Sequence, residues 1–326
     1  MPVPHYDKNI LLEELKMAIT AGMVKELREL TGAGMMDCKK ALNETDGNMD
    51  EGIEYLRKKG QAKAEKKASR VAAEGMVTVA VDGDNKAAIV EVNSETDFVA
   101  QNEKFQNYVN EVAKQALVTK AADMDAFMEE AWIGDSAKTV KDALVDQIAV
   151  IGENLKIRRF EKVEATEGCV VPYIHGGGRI GVIVEAKASV VNDTVKEALK
   201  NIAMQIAALN PKYVNRDEIS ADYIAHEKEI LLAQIMNDPK ESQKPEKVIN
   251  GMIEGRVNKE LKEICLVDQV YVKAEDGKQT VAKYLEAVSK EVGGEVAVKR
   301  FVRFETGEGI EKVETDFAAE VAAQLQ

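Results

Sequence analysis

The sequence contains few of the residues from which disulfide frameworks and metal centres are built. Only three cysteines occur among 326 residues, and no two of them form a CxxC pair. A disulfide framework or a zinc site therefore has little support. We interpret Cys38, Cys169 and Cys265 as reduced thiols with mostly structural roles, and we expect neither a metal nor another cofactor.

Histidine is equally scarce. Only His5, His175 and His226 are available, and none has a carboxylate or a cysteine at the spacing of metal ligands or of a catalytic triad. Carboxylates are abundant, but no pair of them is marked as a general acid and base. An enzyme is therefore unsupported by these residues, although they leave that alternative open.

Long apolar runs are also absent. The longest ones, such as residues 180–184, are far shorter than the ~20 residues of a membrane span. The first 16 residues carry three acidic side chains and no arginine, which is the wrong chemistry for a transit peptide. We therefore expect a cytoplasmic protein that does not bind membranes.

The N-terminal extension, residues 1–16, has a second interpretation. A purine-rich stretch like a ribosome-binding site can encode residues 12–16, and our second hypothesis is therefore that translation begins at Met17. N-terminal sequencing of the protein from its native host distinguishes the two starts.

Positive charge is in deficit over the chain as a whole. The net charge of -13 repels a phosphate backbone over most of the surface, so nucleic acid is disfavoured as the direct ligand. A composition of 45% hydrophobic and 31% charged residues is that of a globular protein, and the length allows two or more domains. These totals fit an acidic protein that binds another protein better than one that binds nucleic acid.

Residues 17–57 are predicted to form a small three-helix domain. Apolar residues recur at helical spacing in three stretches, separated by a glycine turn at residues 31–34 and by a left-handed stop and cap at residues 46–48. The three stripes are Val24, Leu27 and Leu30; Met35, Cys38, Ala41 and Leu42; and Met49, Ile53 and Leu56. Most of these residues form a core, and Met35 or Met36 beside the turn is the exception that could meet a partner.

Residues 58–73 are predicted to be a basic helical linker. Six cations lie in this stretch, namely Lys58, Lys59, Lys63, Lys66, Lys67 and Arg70. Such a run is most often a solvated face, and docking against an acidic protein surface is the alternative. RNA binding ranks below both, and the salt dependence of binding separates them.

The remainder of the chain is predicted to be an α+β core built from a duplicated unit. Residues 77–92 form a β-hairpin followed by an amphipathic helix over residues 105–116, and the same order returns in residues 170–206. We assign residues 74–160 and 161–303 to two core subdomains. An antiparallel helical hairpin is inserted in the second, at about residues 219–266, and its turn is at residues 237–240.

The C-terminal part contains a strand and a helix. Residues 297–304 form a strand that completes the sheet, and residues 310–326 are amphipathic enough to form a docking helix. Residues 304–326 are therefore assigned to a C-terminal module.

One glycine-rich segment satisfies the letters of a dinucleotide-binding motif. Gly176, Gly178 and Gly181 have the GxGxxG spacing, but a β-rich run follows where the motif requires a helix. We interpret the segment as a hairpin turn, since consecutive glycines accept positive φ values. A GxxxxGK[ST] motif is absent from the sequence, so the chain is not expected to bind a nucleotide phosphate itself.

The loop that contains Phe98 is the most informative segment. An aromatic residue beside an acid, between a strand and a helix, is either a core plug or an exposed wedge. Residue chemistry alone favours the plug, although an exposed Phe would be a good interface anchor. For His175, on the glycine turn, a plain surface histidine is favoured over a partner contact.

Several motifs, in order along the chain, resemble the elongation factor Ts family. They are VKELR at residues 24–28, TGAGMMDCKKAL at 31–42, TDFVA at 96–100, IGEN at 151–154, His175 and Gly176 with RIG at 179–181, and FE at 304–305 with GEGIE at 307–311. The resemblance extends from residue 21 to the C-terminus and excludes residues 1–16. It implies a first domain similar to ubiquitin-associated three-helix modules.

The resemblance also implies a function and a set of contact residues. Members of the family are guanine nucleotide exchange factors that bind the G domain of elongation factor Tu, so Thr96, Asp97, Phe98 and Val99 are expected to enter beside the Mg²⁺ site of that partner. Further contacts are expected from Arg28, Met35, Met36, Ile151, Gly152 and His175. The C-terminal helix is expected to grip the same domain, and a homodimer or a two-plus-two complex stays open.

Two rival functions remain. A helical adaptor would use the three-helix domain alone to bind a ubiquitin-like or other helical partner, but the duplicated core and its loop motifs argue against it. An acid/base enzyme is third, and a pocket with strongly perturbed carboxylates would revive it. Release of fluorescent GDP from elongation factor Tu is the deciding measurement.

Overall fold

The computed structural model describes residues 19–311. Residues 1–18 and 312–326 lie outside this range. The hypotheses about the N-terminal extension and the start at Met17 therefore stay predictions, as does the C-terminal docking helix.

The described part of the chain is a mixed α/β structure with small antiparallel sheets. Eleven α-helices, two three-stranded sheets and a two-stranded sheet are formed within residues 19–311. Within this range, no helix combines the length and apolarity needed to cross a membrane.

The first three helices pack around their own small core. They are α1 (Ala21–Thr31), α2 (Met35–Glu44) and α3 (Met49–Lys67), and Leu27, Cys38 and Leu42 between them are fully buried. The stop at residues 46–48 is confirmed, because Asp46 and Gly47 have positive φ and the Asn48 side chain accepts hydrogen bonds from two backbone N–H groups of α3. Local sequence therefore defines the two turns of this domain.

The third helix is much longer than the sequence predicted. It continues without a break from Met49 to Lys67 and so includes most of the predicted linker. A Cβ built on Gly60 would lie 3.4 Å from Cβ of Ala149 in the later helix α7 (Val140–Ile151), and Ala64 is buried nearby. The predicted linker is therefore a docked half-helix rather than a free tether.

The basic residues of this half-helix are mostly paired within the chain. Lys59 and Lys63 donate to the two carboxylate oxygens of Asp37 at 2.6 and 3.0 Å, and Lys67 donates to the carbonyl oxygen of Gly152. These three lysines are therefore paired within the chain, while their side chains stay partly exposed to solvent.

The first three-stranded sheet has the order β1 (Glu74–Asp82), β2 (Lys86–Ser94) and β5 (Lys156–Glu164), all antiparallel. The one-turn helix α4 (Asp97–Ala100) and the helix α5 (Glu103–Val118) follow β2. The segment between α5 and β5 adds α6 (Met124–Glu129), the short strands β3 (Ala131–Trp132) and β4 (Asp135–Thr139), and α7. The apolar face of α5 packs on the sheet, which makes this the first α+β layer pair.

The second three-stranded sheet repeats this arrangement. Its order is β6 (Cys169–His175), β7 (Ile180–Ala188) and β8 (Val296–Glu305), and α8 (Asp193–Leu209) follows β7 and packs on the sheet. The two sheets also contact each other through an apolar cluster that includes Val77, Ile89, Ile183 and Val302. Each sheet is thus covered by a helix on one face and by the other sheet on the opposite face.

The strand β5 was missed by the sequence analysis. The predicted boundary between residues 160 and 161 falls inside it, and the boundary between residues 303 and 304 falls inside β8. The sequence also did not predict α6, α7 and the helix α11 (Val281–Val292).

The helical hairpin is formed as predicted. It consists of α9 (Ala221–Asn237) and α10 (Glu246–Ile264), and Asp238 at the turn accepts hydrogen bonds from the backbone N–H groups of Lys240 and Glu241. A row of buried residues joins the two helices, including Ile235, Ile249 and Ile253.

The glycine turn between β6 and β7 is confirmed. Gly176, Gly177 and Gly178 have φ values of 58, 65 and 102°. The N–H of Val77 in β1 donates to the carbonyl oxygen of Gly178 at 2.7 Å, and a Cβ on Gly178 would lie 2.5 Å from Cγ of Met76. This turn therefore needs glycine both for its backbone conformation and for its close approach to the first sheet.

Candidate functional site

Phe98 is the most exposed large apolar residue among those described. Its side chain is 83% exposed and lies in α4, immediately after β2. The interpretation of Phe98 as a core plug, which residue chemistry favoured, is therefore wrong. Its neighbours Val99 and Ala100 pack against the core cluster beneath α5 instead, so Val99 anchors the turn that exposes Phe98.

Thr96 starts the one-turn helix. Its Oγ1 accepts a hydrogen bond from the backbone N–H of Val99 at 3.4 Å, and its carbonyl oxygen accepts one from Oγ of Ser94 at 3.0 Å. These contacts define where the strand ends and the helix begins. Asp97 is exposed beside Phe98, so the tip of the loop presents one acid and one aromatic ring.

The base of this loop is held by a carboxylate from a distant part of the chain. Oε2 of Glu153 accepts hydrogen bonds from the backbone N–H groups of Glu95 and Thr96, both at 3.1 Å. Oε1 of Glu153 accepts a third hydrogen bond, from Oγ1 of Thr96, at 2.6 Å. One carboxylate thus receives three donors from two consecutive residues.

The loop also accepts a hydrogen bond from the segment that carries Glu153. Oε1 of Glu95 accepts a hydrogen bond from the backbone N–H of Asn154 at 2.6 Å. The Asn154 side chain in turn donates to the carbonyl oxygen of Arg70 at 2.7 Å, and Arg70 lies 3.4 Å from the Glu95 carboxylate. The segment after α3, the loop and the segment after α7 are therefore cross-linked at one place.

Two other predicted contact residues lie in this cross-linked region. Gly152 caps the C-terminus of α7 in the left-handed conformation, with φ of 88°, and is exposed. Ile151 precedes it, is half-buried, and packs against the same core cluster as Val99. The structure thus brings Ile151 and Gly152 together with Thr96, Asp97, Phe98 and Val99.

Arg28, Met35 and Met36 form a second group, on the first domain. They line a cavity of about 370 Å³ with Ile19, Thr20, Ala21, Val24, Lys25 and Lys39. Met35 and Met36 are 59% and 75% exposed, and the charged residues lining the cavity are all cations. Such a groove suits an amphipathic helix with an acidic rim, because methionine adapts to apolar partners.

The first domain docks close to the loop region. A Cβ on Gly32, the C-cap of α1, would lie 3.7 Å from Cγ2 of Val150, the residue before Ile151. The first domain therefore packs beside the segment that carries Ile151 and Gly152.

His175 is separate from both groups. It is exposed at the end of β6, and its Nδ1 lies 2.9 Å from the hydroxyl oxygen of Tyr173. Among the described residues, no side-chain hydrogen bond or ion pair links His175 to Phe98 or to the groove of the first domain. The glycine turn that follows His175 contacts β1, so the histidine is held at the seam of the two sheets.

The most buried carboxylate among the described residues serves the fold. Glu91 in β2 is fully buried, and burial alone would raise its pKa. Three hydrogen bonds to the carboxylate, from the N–H of Gly307 and from the side chains of Asn93 and Arg158, together outweigh the effect of burial. They hold the pKa of Glu91 below its ordinary value. Within residues 19–311, no group of three His, Cys, Asp or Glu side chains could hold a metal ion.

Glu95, Glu153, Asn154 and Arg70 are the residues that sequence reasoning missed. Two of them belong to the IGEN motif, and Glu95 directly precedes the TDFVA motif. The two motifs were therefore the sequence signal that could have pointed to these residues. Their contact with each other depends on the fold, because 58 residues separate Glu95 from Glu153.

Comparison with known proteins identifies close relatives over nearly the whole chain. The family model described as "Elongation factor TS" matches residues 95–308. Elongation factor Ts of Clostridium novyi is 51% identical over 308 residues, which cover 94% of this chain and 99% of the relative. The same factor of Clostridium tetani is 50% identical over 309 residues, covering 94% and 100%, and that of Clostridioides difficile is 51% identical over 309 residues, covering 94% and 99%.

Proposed function

The chain belongs to the elongation factor Ts family, and from this premise we propose that it promotes the release of GDP from elongation factor Tu during translation elongation. The observation that carries this function is the 83% exposure of Phe98 on a loop whose base is firmly hydrogen-bonded. A large apolar side chain that is exposed at a cost in the free protein is a good anchor for a partner.

The partner surface consists of the two groups and His175. Thr96, Asp97, Phe98 and Val99 enter beside the Mg²⁺ of elongation factor Tu, and Ile151, Gly152 and His175 contact its G domain. The groove at Arg28, Met35 and Met36 receives a helix of the same domain. The cations lining the groove and the exposed methionines support this assignment.

The mechanism requires no bond-making chemistry by this chain. The partner holds GDP through Mg²⁺ and backbone N–H groups around the phosphates, so a small displacement of either weakens a charge-assisted site. The exchange factor and the nucleotide then lower each other's affinity by the same factor, since coupling between two sites is reciprocal. GTP rebinding to the empty site expels the factor.

The two core subdomains arose from one duplicated unit, and the first domain is of the ubiquitin-associated type. The equal order of the two sheets supports the duplication, as does the helix that follows the second strand in each. We also propose that residues 304–326, of which 312–326 lie outside the described range, contact the G domain. The mass of the protein in solution, alone and with its partner, decides whether it forms a homodimer or a two-plus-two complex.

Release of fluorescent GDP from elongation factor Tu tests the function. We expect the intact chain to accelerate release, and Phe98→Ala to slow it by at least about ten-fold, because the anchor is lost. Val118→Ala is the matched control, since Val118 is also exposed, at 59%, but lies at the far end of α5. No acceleration by the intact chain would refute the function, whereas retained acceleration by Phe98→Ala would refute only the wedge role.

A further inference from the structure

We infer that Glu153 is the positioning residue of the exchange loop, which we define as residues 95–100. This inference rests on the proposed function and deepens it: Glu153 acts through the loop and holds Phe98 in its productive orientation. The evidence is that the Glu153 carboxylate accepts all three hydrogen bonds from Glu95 and Thr96 described above.

The exchange loop cannot define its own geometry. The helix α4 has only four residues, and a single helical turn is unstable by itself, because nucleation fixes several residues for one hydrogen bond. Phe98 adds no core packing, since it is 83% exposed. Besides the packing of Val99 and Ala100 on the core, the conformation at the tip therefore depends on contacts at the base.

Glu153 supplies them through one connected set of hydrogen bonds. Its carboxylate accepts from Oγ1 of Thr96, and the same oxygen atom of Thr96 accepts from the N–H of Val99. The carboxylate therefore selects the Thr96 rotamer that caps α4, and α4 carries Phe98. Hydrogen bonds to an ionised acceptor are about twice as strong as neutral ones, so a glutamate suits this role.

The position of Glu153 also couples the loop to a second contact segment. Gly152, in the left-handed conformation, turns the chain at the end of α7 and places Glu153 against the loop. Glu95 returns a hydrogen bond to the N–H of Asn154. The relative position of Phe98 and Ile151 is thus set by the same crossed pair of glutamates.

A second glutamate in the chain offers a matched control. Glu130 accepts from Oγ1 of Thr119 at 2.6 Å and from the N–H of Lys120 at 3.1 Å, and Gln115 donates to it at 3.2 Å. Like Glu153, Glu130 thus accepts from a threonine hydroxyl and from backbone, but it holds the loop after α5 and has a glutamine amide as its third donor. The 16 residues of α5 separate the two sets of hydrogen bonds by about 24 Å.

The first test compares Glu153→Ala with Glu130→Ala in the full chain. We expect Glu153→Ala to slow GDP release from elongation factor Tu by about ten-fold, because a misplaced group loses most of its effect. Glu130→Ala should leave the release rate unchanged, although both variants lose a similar number of hydrogen bonds and should have lower melting temperatures than the wild-type chain. Equal release rates for the two variants would overturn the inference.

The second test separates positioning from a general loss of stability. Glu153→Ala should slow release much less in the Phe98→Ala background than in the wild-type chain, because Glu153 acts mainly through the ring that is already missing. If the fold decreases in release rate caused by the two substitutions multiply in the double variant, Glu153 acts independently of Phe98 and the inference is overturned. Glu153→Gln should restore part of the rate, since an amide oxygen still accepts from the backbone N–H groups.

The third test measures the hydrogen bonds between Glu153 and the exchange loop in the absence of the partner. Amide hydrogen exchange at Glu95 and Thr96 should become faster in Glu153→Ala and stay unchanged in Phe98→Ala. Unchanged protection in Glu153→Ala would overturn the inference even if release is slow. Failure of the wild-type chain to accelerate release is a different outcome: it overturns the proposed function, and the exchange of these two amides still decides whether Glu153 orders the loop.

Discussion

Glu91 and Glu185 occupy the same place in the two three-stranded sheets. Each is the sixth residue of the middle strand, is buried, and is followed by a register shift toward the third strand. Glu91 is paired with Arg158 and Arg159 of β5, and Glu185 with Lys299 and Arg300 of β8. A buried acid facing two consecutive cations is therefore a shared feature of both sheets.

The two glutamates should contribute unequally to stability. Glu91→Ala is expected to lower the free energy of unfolding by about 3–5 kcal/mol, because it leaves the buried Asn93 amide and the partly buried Arg158 and Arg159 without their acceptor. Glu185→Ala should cost about 1–2 kcal/mol, since its partners Lys299 and Arg300 are 57% and 44% exposed and can be hydrated instead. Urea denaturation of both variants measures the difference, and a larger loss for Glu185→Ala would contradict it.

The contribution of Glu91 should depend on pH. Its pKa in the folded protein is lowered from the ordinary 4.5, so the native state favours the ionised form. The stabilisation is therefore fully present above pH 4.5 and is lost as the pH falls through the lowered pKa. In urea denaturation, the difference between wild type and Glu91→Gln should be constant from neutral pH to about pH 5 and should shrink at lower pH. A difference that grows with acidification would show that the sign is wrong.

The glycine turn offers a test of close packing. Gly178→Ala should lower the free energy of unfolding by more than about 3 kcal/mol, because the new Cβ would lie 2.5 Å from Cγ of Met76 at a φ of 102°. Gly177→Ala is the control, since its φ is 65° but no atom lies within 4 Å. It should cost only about 1 kcal/mol. Similar losses in the two variants would mean that the contact with the first sheet contributes nothing.

The groove on the first domain should contribute to affinity rather than to the rate of release at saturation. Met36→Ala is expected to raise the Kd for elongation factor Tu by about ten-fold, because an exposed apolar anchor is removed. Arg28→Ala should raise the Kd and also weaken its dependence on salt, since Arg28 contributes charge. Titration calorimetry at two salt concentrations measures both effects. Val118→Ala is again the control, and an unchanged Kd for Met36→Ala would remove the groove from the interface.

Periodic apolar residues were enough to predict several elements. The helices of the hairpin were predicted over residues 221–236 and 245–264 and lie at Ala221–Asn237 and Glu246–Ile264. The hairpin strands and the glycine turn were also recognised. These elements have a regular core-facing pattern or a backbone conformation that only a few residue types accept.

Elements without such a pattern were missed. The strand β5 contains six charged residues and only two buried positions, Ile157 and Val163. Its partner β2 and its ion pairs with Glu91 hold it in the sheet, and both lie more than 60 residues away in sequence. Similarly, α3 extends through a basic stretch because Asp37 and α7 provide partners for its lysines and its small residues.

By itself, the sequence determined the helices and hairpins with clear apolar periods, and its ordered motifs determined the family. Tertiary structure alone decided that Phe98 is exposed while Val99 is packed, and that Glu153 lies against Thr96. The physical reason is that burial and hydrogen bonding of a short loop depend on which distant segment lies beside it. A local pattern records the propensity of each residue, whereas the contact between residues 95–100 and 151–154 exists only after the sheet and α7 have packed.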